Sequence, residues 1–167
     1  MSQVLPETVN QLLQPLSPTG FPNGVQLSAT YRQFVMWQLT AADLLAMPTT
    51  KPVIVPAPGT TLLVVPSGIV AQYHYGGTAF TLGNADNALQ LEYVGKTTAL
   101  GTIALNGLAT LTGNANLSVA SLAAGVLTAA NSVNLGIEVT VVGTTPALTL
   151  GNGSIYITME YKVIPTF

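Results

Sequence analysis

The chain has 167 residues, enough for one domain with a substantial core. It is 49% hydrophobic and only 6% charged, against roughly 25% charged for an average soluble domain. Its 4 Lys and Arg and net charge of −2 give no electrostatic footprint for nucleic acid and no polybasic patch for membranes, and without cysteine there is no disulfide or thiolate chemistry.

So little charge implies that other subunits cover much of the surface. Thr, Asn, Ser, Gln and Gly coat the rest. Residues 1–7, Met-Ser-Gln-Val-Leu-Pro-Glu, lack the basic and apolar regions of a secretory signal. No run approaches the ~18 apolar residues of a spanning helix, and aromatics are too scarce for the girdles of an outer-membrane barrel.

Residues 1–33 differ from the rest. Pro6, Pro15, Pro18 and Pro22 rule out a long helix and a central strand. Leu12, Leu13, Leu16, Phe21, Val25 and Leu27 are apolar residues that a solvated tail does not need. They are the expected interface residues of an extended arm that orders on a neighbouring subunit. A disordered tail is the alternative. Residues 34–167 are expected to form a β-sandwich domain.

Gln33 to Leu39 is the first strand of the pattern. Thr40-Ala-Ala-Asp43 has the form of a capping box, predicting a short helix near 41–47 that ends at Pro48. Val53 to Val55 is a short strand between prolines. Thr61 to Tyr75 is an extended run interrupted by a turn or bulge at Pro66-Ser67-Gly68. Thr78 to Leu82 and Ala88 to Val94 are expected to pair as a hairpin across residues 83–87. From 95 to 133, apolar residues recur every two or three positions, fitting strands of a small sheet. A few coils of solenoid and a helix over Ala120 to Ala130 are the alternatives there. Asn134 to Val142 returns to strand. Ala147 to Leu150 and Ser154 to Ile164 are expected to form a last hairpin across Gly151-Asn-Gly153.

The last of these strands has the strictest pattern. Ile155, Ile157, Met159, Tyr161 and Val163 share one face, and Tyr156, Thr158, Glu160 and Lys162 the other. Its charged outer face is expected to be solvated, so the interface is expected in the arm and in the uncharged segment 97–137. In sum the chain is all-β, a jelly-roll-like β-sandwich of about eight strands.

No residue set supports catalysis, a cofactor or a metal. His74 is the single histidine and has neither cysteine nor a second histidine beside it. It is expected on a sheet surface or interface, where protonation near pH 6.5 would tune assembly. Asp86 belongs to turn geometry, and Glu92 to the polar face of a strand; nothing suggests a cleft between them. The glycine-rich segments lack the order of a phosphate loop. Asn116-Leu-Ser and Asn152-Gly-Ser are formal glycosylation sequons, of little weight without a secretory signal.

Four segments resemble small structural proteins of tailed bacteriophages. They are Leu39-Thr-Ala-Ala-Asp-Leu-Leu-Ala-Met47, Pro52 to Pro58-Gly59, Tyr73-His-Tyr-Gly-Gly-Thr-Ala-Phe-Thr81 and Leu148-Thr-Leu-Gly-Asn-Gly-Ser-Ile-Tyr-Ile-Thr-Met-Glu-Tyr161. The resemblance implies a capsid decoration (cement) protein on the virion surface. Such a protein is a homo-oligomer, a trimer before a dimer, that clamps adjacent major capsid proteins without catalysis. Two rivals stand beside it. One is a tail or fibre-associated structural protein. The other is a carbohydrate-binding β-sandwich using Trp37, Tyr73, Tyr75 or Tyr156, although Trp37, in an apolar strand, is expected in the core.

Overall fold

The computed structural model describes residues 33–108, 110–117 and 132–166. The arm, with Leu12, Leu13, Leu16, Phe21, Val25 and Leu27, and the possible helix over 120–130 lie outside the described residues. Among these residues ten strands and one helix follow in order: β1 (Gln33–Leu39), α1 (Ala41–Ala46), β2 (Val53–Val55), β3 (Leu62–His74), β4 (Thr81–Leu82), β5 (Ala88–Tyr93), β6 (Ala99–Ala104), β7 (Ala115–Leu117), β8 (Ile137–Val142), β9 (Leu148–Thr149) and β10 (Ser154–Pro165). The protein is an all-β sandwich. Helix α1 starts as expected. The Asp43 backbone N–H donates to Thr40 Oγ1, and the Thr40 N–H donates to Asp43 Oδ2 at 2.8 Å, closing the capping box.

One sheet has the order β1-β10-β3-β7 and the other β2-β8-β5-β6, with β4 and β9 forming a separate two-stranded ribbon. Every pairing is antiparallel. Going along the chain, β1, β3, β7 and β10 alternate with β2, β5, β6 and β8, so nearly every connection crosses between sheets. Only β5 and β6 are adjacent in both sequence and sheet. Strands β6 and β7 lie in different sheets, which rules out stacked solenoid coils in 99–117.

The longest ladder joins β3 to β10 and fixes the inner face of the first sheet. Ile155, Ile157 and Met159 of β10 are fully buried and lie opposite Tyr73, Ala71 and Ile69. Between Glu160 and Tyr161 the register shifts, leaving Ser67 of β3 without a partner residue. This bulge turns the expected break at Pro66-Ser67-Gly68 into one continuous strand. It also switches the parity of β3. Odd residues 69, 71 and 73 face inward beyond the bulge, and buried Val64 faces inward before it, opposite Val163. Pro66 is tolerated in a central strand because the ladder is already broken beside it.

The second sheet supplies Ile54, Leu89, Leu91, Tyr93, Ile103, Ile137, Val139 and Val141 to the same core. One hydrogen bond crosses it: the buried Tyr93 hydroxyl of β5 donates to the carbonyl of Val64 in β3, at 2.5 Å.

Both expected hairpins are corrected. Strand β4 pairs with β9, not with β5, and β10 pairs with β1 and β3, not with β9. In the first case side chains of the 83–87 loop hold a distant segment. Asn87 Nδ2 donates to the carbonyls of Thr145 and Ala147, both at 3.1 Å, and Asp86 Oδ2 accepts from the Thr144 N–H at 2.9 Å. In the second, Gly151-Asn-Gly153 is a spacer packed on aromatics. A Cβ on Gly151 would lie 2.5 Å from the Phe80 ring, and one on Gly153 equally close to Tyr73. Asn152 Oδ1 accepts from the Thr78 N–H at 2.8 Å.

The Tyr93 bond yields a direct test. Tyr93→Phe is expected to lower stability by about 1 kcal/mol in urea unfolding, the worth of one buried hydrogen bond. Burial pushes the Tyr93 phenol from 10.0 up to about 12. Its folded-state value is raised, so its contribution is complete below pH 10 and lost as pH climbs toward 12. Wild type is therefore expected to lose stability across that window more steeply than Tyr93→Phe.

Candidate interaction surface

The outer face of the first sheet is set by register. Phe34, Met36 and Gln38 of β1 lie opposite Glu160, Thr158 and Tyr156 of β10, which in turn lie opposite Gly68, Val70 and Gln72 of β3. Asn116 of β7 completes the row beyond Gln72, and Gln72 Nε2 donates to its side-chain carbonyl at 3.2 Å. Phe34 is 67% exposed, Met36 72% and Val70 57%. Thr158 of β10 is thus flanked on both sides by exposed apolar side chains, Met36 and Val70, and Glu160 on one side by Phe34. The face is not the plain solvated surface that Glu160 and Lys162 suggest. In the segment expected to hold the interface, Leu100, Ile103, Leu105 and Leu108 are core residues instead.

Strand β1 lies at the edge of its sheet. That position explains Trp37. Its parity places it with Val35 and buried Leu39 on the core side, yet it is 38% exposed, and among the described residues no strand flanks it on the outer edge. The expectation of a core Trp37 is corrected accordingly.

The aromatics proposed for carbohydrate do not form a platform. Tyr73 is buried, packed against Phe80 and edge-on to Tyr75. Tyr156 stacks at a tilt on His74, with centroids 4.7 Å apart. A shallow depression of about 300 Å³ lies beside them, lined by Gln72, Tyr73, His74, Asn114, Ala115 and Asn116. His74 is the exposed last residue of β3, on the sheet surface as expected.

Asp86 and Glu92 do not act together. Asp86 ties two loops through Thr144. The hydroxyl and backbone N–H of Thr144 both donate to its carboxylate, which holds its pKa below 3.8. Its folded-state value is depressed, so its contribution is present above pH 3.8 and lost as pH falls further.

Glu92 is the residue the sequence misplaces. It is almost fully buried, on the outer face of the second sheet, directly opposite Glu138 of β8, which is also buried. Lys51, just before β2, reaches both: Nζ lies 2.5 Å from Glu92 Oε1 and 3.7 Å from Glu138 Oε1. Gln90 Nε2 donates to Glu92 Oε2 at 2.7 Å, and the Gly95 N–H donates to Glu138 Oε1 at 3.1 Å. Two carboxylates facing each other across a ladder repel, and the ammonium between them offsets that repulsion. The hydrogen bond that Lys51 donates to Glu92, opposed in part by desolvation, raises the Lys51 pKa above 10.5. Among the described residues no group of three or more His, Cys, Asp or Glu is placed to hold a metal ion.

Lys51→Met is therefore expected to cost about 2 kcal/mol in urea unfolding, less than the ~3–5 kcal/mol of a fully buried pair because Lys51 is partly exposed. The Lys51→Met/Glu92→Gln double variant is expected to regain part of it. A raised lysine pKa stabilises fully below 10.5 and less as pH rises through the folded value. The gap between wild type and Lys51→Met should then be constant near neutrality and narrow above pH 10.5.

No family model and no curated protein matches the chain. Among solved structures it is similar to one titled "Cyanophage Pam1 capsid asymmetric unit", at 12% identity and a TM-score of 0.43, over 90% of this chain and 94% of that one.

Proposed function

We propose that the protein is a non-enzymatic virion structural protein, a capsid decoration protein that binds the outside of a phage head and clamps neighbouring major capsid proteins. The observation that carries this reading is the strand order. The orders β1-β10-β3-β7 and β2-β8-β5-β6, with the chain alternating between sheets, support a jelly-roll reading of the sandwich. That architecture serves viral capsid and lectin domains among others. A fold alone does not fix a role, so the surface has to choose. Burial of Tyr73 and the pairing of Tyr156 with His74 weigh against a lectin-like platform. A chain that is 6% charged, with exposed Phe34, Met36 and Val70 on one face, suits a subunit that works inside an assembly. The phage-protein resemblance falls on β1 and α1, on β2, on the loop after β3 and on β9 to β10, so it spans both sheets. Modest contacts repeated at many symmetry-related sites on a shell add up to firm attachment.

A quantitative protein profile of the particle tests this reading. Hundreds of copies per virion are expected. A few to a few dozen would move the protein to the tail, and absence from the particle would end the virion reading. Deleting residues 1–33 is expected to leave a folded β-domain that binds decoration-free shells at least about tenfold more weakly, or ~1.4 kcal/mol. Cosedimentation equal to that of the full chain would remove the arm from the mechanism.

A further inference from the structure

We propose that β1 is a docking edge for a second copy of this chain, the two β1 strands pairing antiparallel about a two-fold axis through Met36. The proposal rests on the sheet edge, and it holds whatever role the protein plays in a particle.

Strand β1 pairs with β10 on one side only, and among the described residues nothing pairs with its other side. An edge strand presents a row of backbone N–H and C=O groups, a template for another strand. Native proteins blunt such edges with charge, proline, bulges or short length. Among the described residues, the other three edges of this sandwich are short or interrupted. Strand β7 has 3 residues. Strand β2 has 3 residues, with Lys51-Pro52 before it and Pro56 after it. Strand β6 is kinked where its register against Leu91 and Glu92 shifts, and Leu100, Gly101 and Ile103 are buried. Strand β1 has no such device. Its 7 residues, Gln-Phe-Val-Met-Trp-Gln-Leu, contain no charge, Pro or Gly, and its register against β10 is unbroken.

Backbone hydrogen bonds accept any strand, so the side chains decide which one. Antiparallel self-pairing sets each residue opposite one from the same short segment, and like charges there would repel. An uncharged β1 has no such repulsion. Register follows from parity. In one continuous sheet, residues that face each other must point to the same side, so the axis has to pass through a residue rather than between two. Only an axis at Met36 pairs all the residues of β1. Phe34 then faces Gln38 of the second copy, and Val35 faces its Trp37. The half-exposed indole gains the neighbour that an edge position denies it. The exposed faces carrying Phe34 and Met36 become one surface across both copies. The chain's own approach to β1 is a poorer fit. Residues 25–32, Val-Gln-Leu-Ser-Ala-Thr-Tyr-Arg, contain no Gly, Pro, Asn or Asp to turn the chain back on the strand that follows.

The absence of native cysteine supplies the test. Opposed residues of an antiparallel pair have Cα atoms about 4.5–5.5 Å apart, inside the ~4.4–6.8 Å range of a disulfide. Full-length Met36→Cys, oxidised mildly at micromolar concentration, is expected to run as a covalent dimer on a non-reducing gel. Leu150→Cys, equally exposed but away from the edge, is expected to stay uncross-linked. Met36→Lys sets two ammonium groups face to face, and its dimer is expected to dissociate at least about tenfold more readily in light scattering. Wild type with the mass of one chain overturns the proposal. An oligomer in which Met36→Cys cross-links no better than Leu150→Cys also overturns it. Loss of that oligomer on removing residues 1–32 then assigns assembly to the N-terminal segment.

Discussion

The ladder between β3 and β10 is the constraint on which the first sheet depends. It pairs 12 residues of β10 with β3, and every other strand of that sheet joins through one of these two. Such a long ladder twists, and twist would carry one end of the strand pair away from the core. The bulge at Ser67 adds one residue to β3 alone and bends that strand locally. Inward-facing positions then continue on both strands beyond the break, from Tyr73 and Ile155 to Val64 and Val163. Removing that bulge would set Val65 opposite Val163, turn Val64 outward and lift the acceptor of the Tyr93 hydroxyl from the core. The first sheet's register and a hydrogen bond that spans the sandwich are thus coupled through a single inserted serine.

Strands were legible in the sequence wherever one face is buried and the other is wet, because period-two alternation then has to appear. The strict pattern of β10 follows it, whereas β1 and β2 were legible as short apolar runs bounded by turn signals and prolines. Pairing was not legible where side chains, rather than turns, decide it. Asn84 and Asp86 read as turn residues, yet Asp86 and Asn87 reach across to 144–147 and bring β9 to β4. Gly151-Asn-Gly153 reads as a hairpin turn, yet its glycines are there so that Phe80 and Tyr73 can touch the backbone. Glu92 fails for a related reason. Alternation assigns it to the face away from the core, which is correct, but that face is itself covered at this point. The signal available was Lys51, one of few basic residues, placed before a strand destined to neighbour β8.

Charge is scarce in this chain, and most of it is tied into local structure. Asp43 closes the helix cap, Asp86 ties two loops, and Lys51, Glu92 and Glu138 hold one another on the second sheet. The remaining charged residues among those described are Lys96, Glu160 and Lys162. The solvation expected from a 6% charged composition is therefore an overestimate, because the network on the second sheet takes both carboxylates and the ammonium out of that role.

This uneven placement has a consequence for the edges. Negative design against strand addition needs charge or proline at the exposed strand, and the sandwich has placed proline around β2 and a bulge at β6 while leaving β1 bare. A protein under pressure to remain a monomer would gain from a single lysine in β1, at an outward position such as 34 or 36 where no packing opposes it. Large apolar side chains stand there instead, at a cost in solubility that a lone chain cannot offset by burial. The distribution makes physical sense if the edge is covered in the working state, because Phe34 and Met36 then contribute packing and the unpaired backbone groups of β1 find partners.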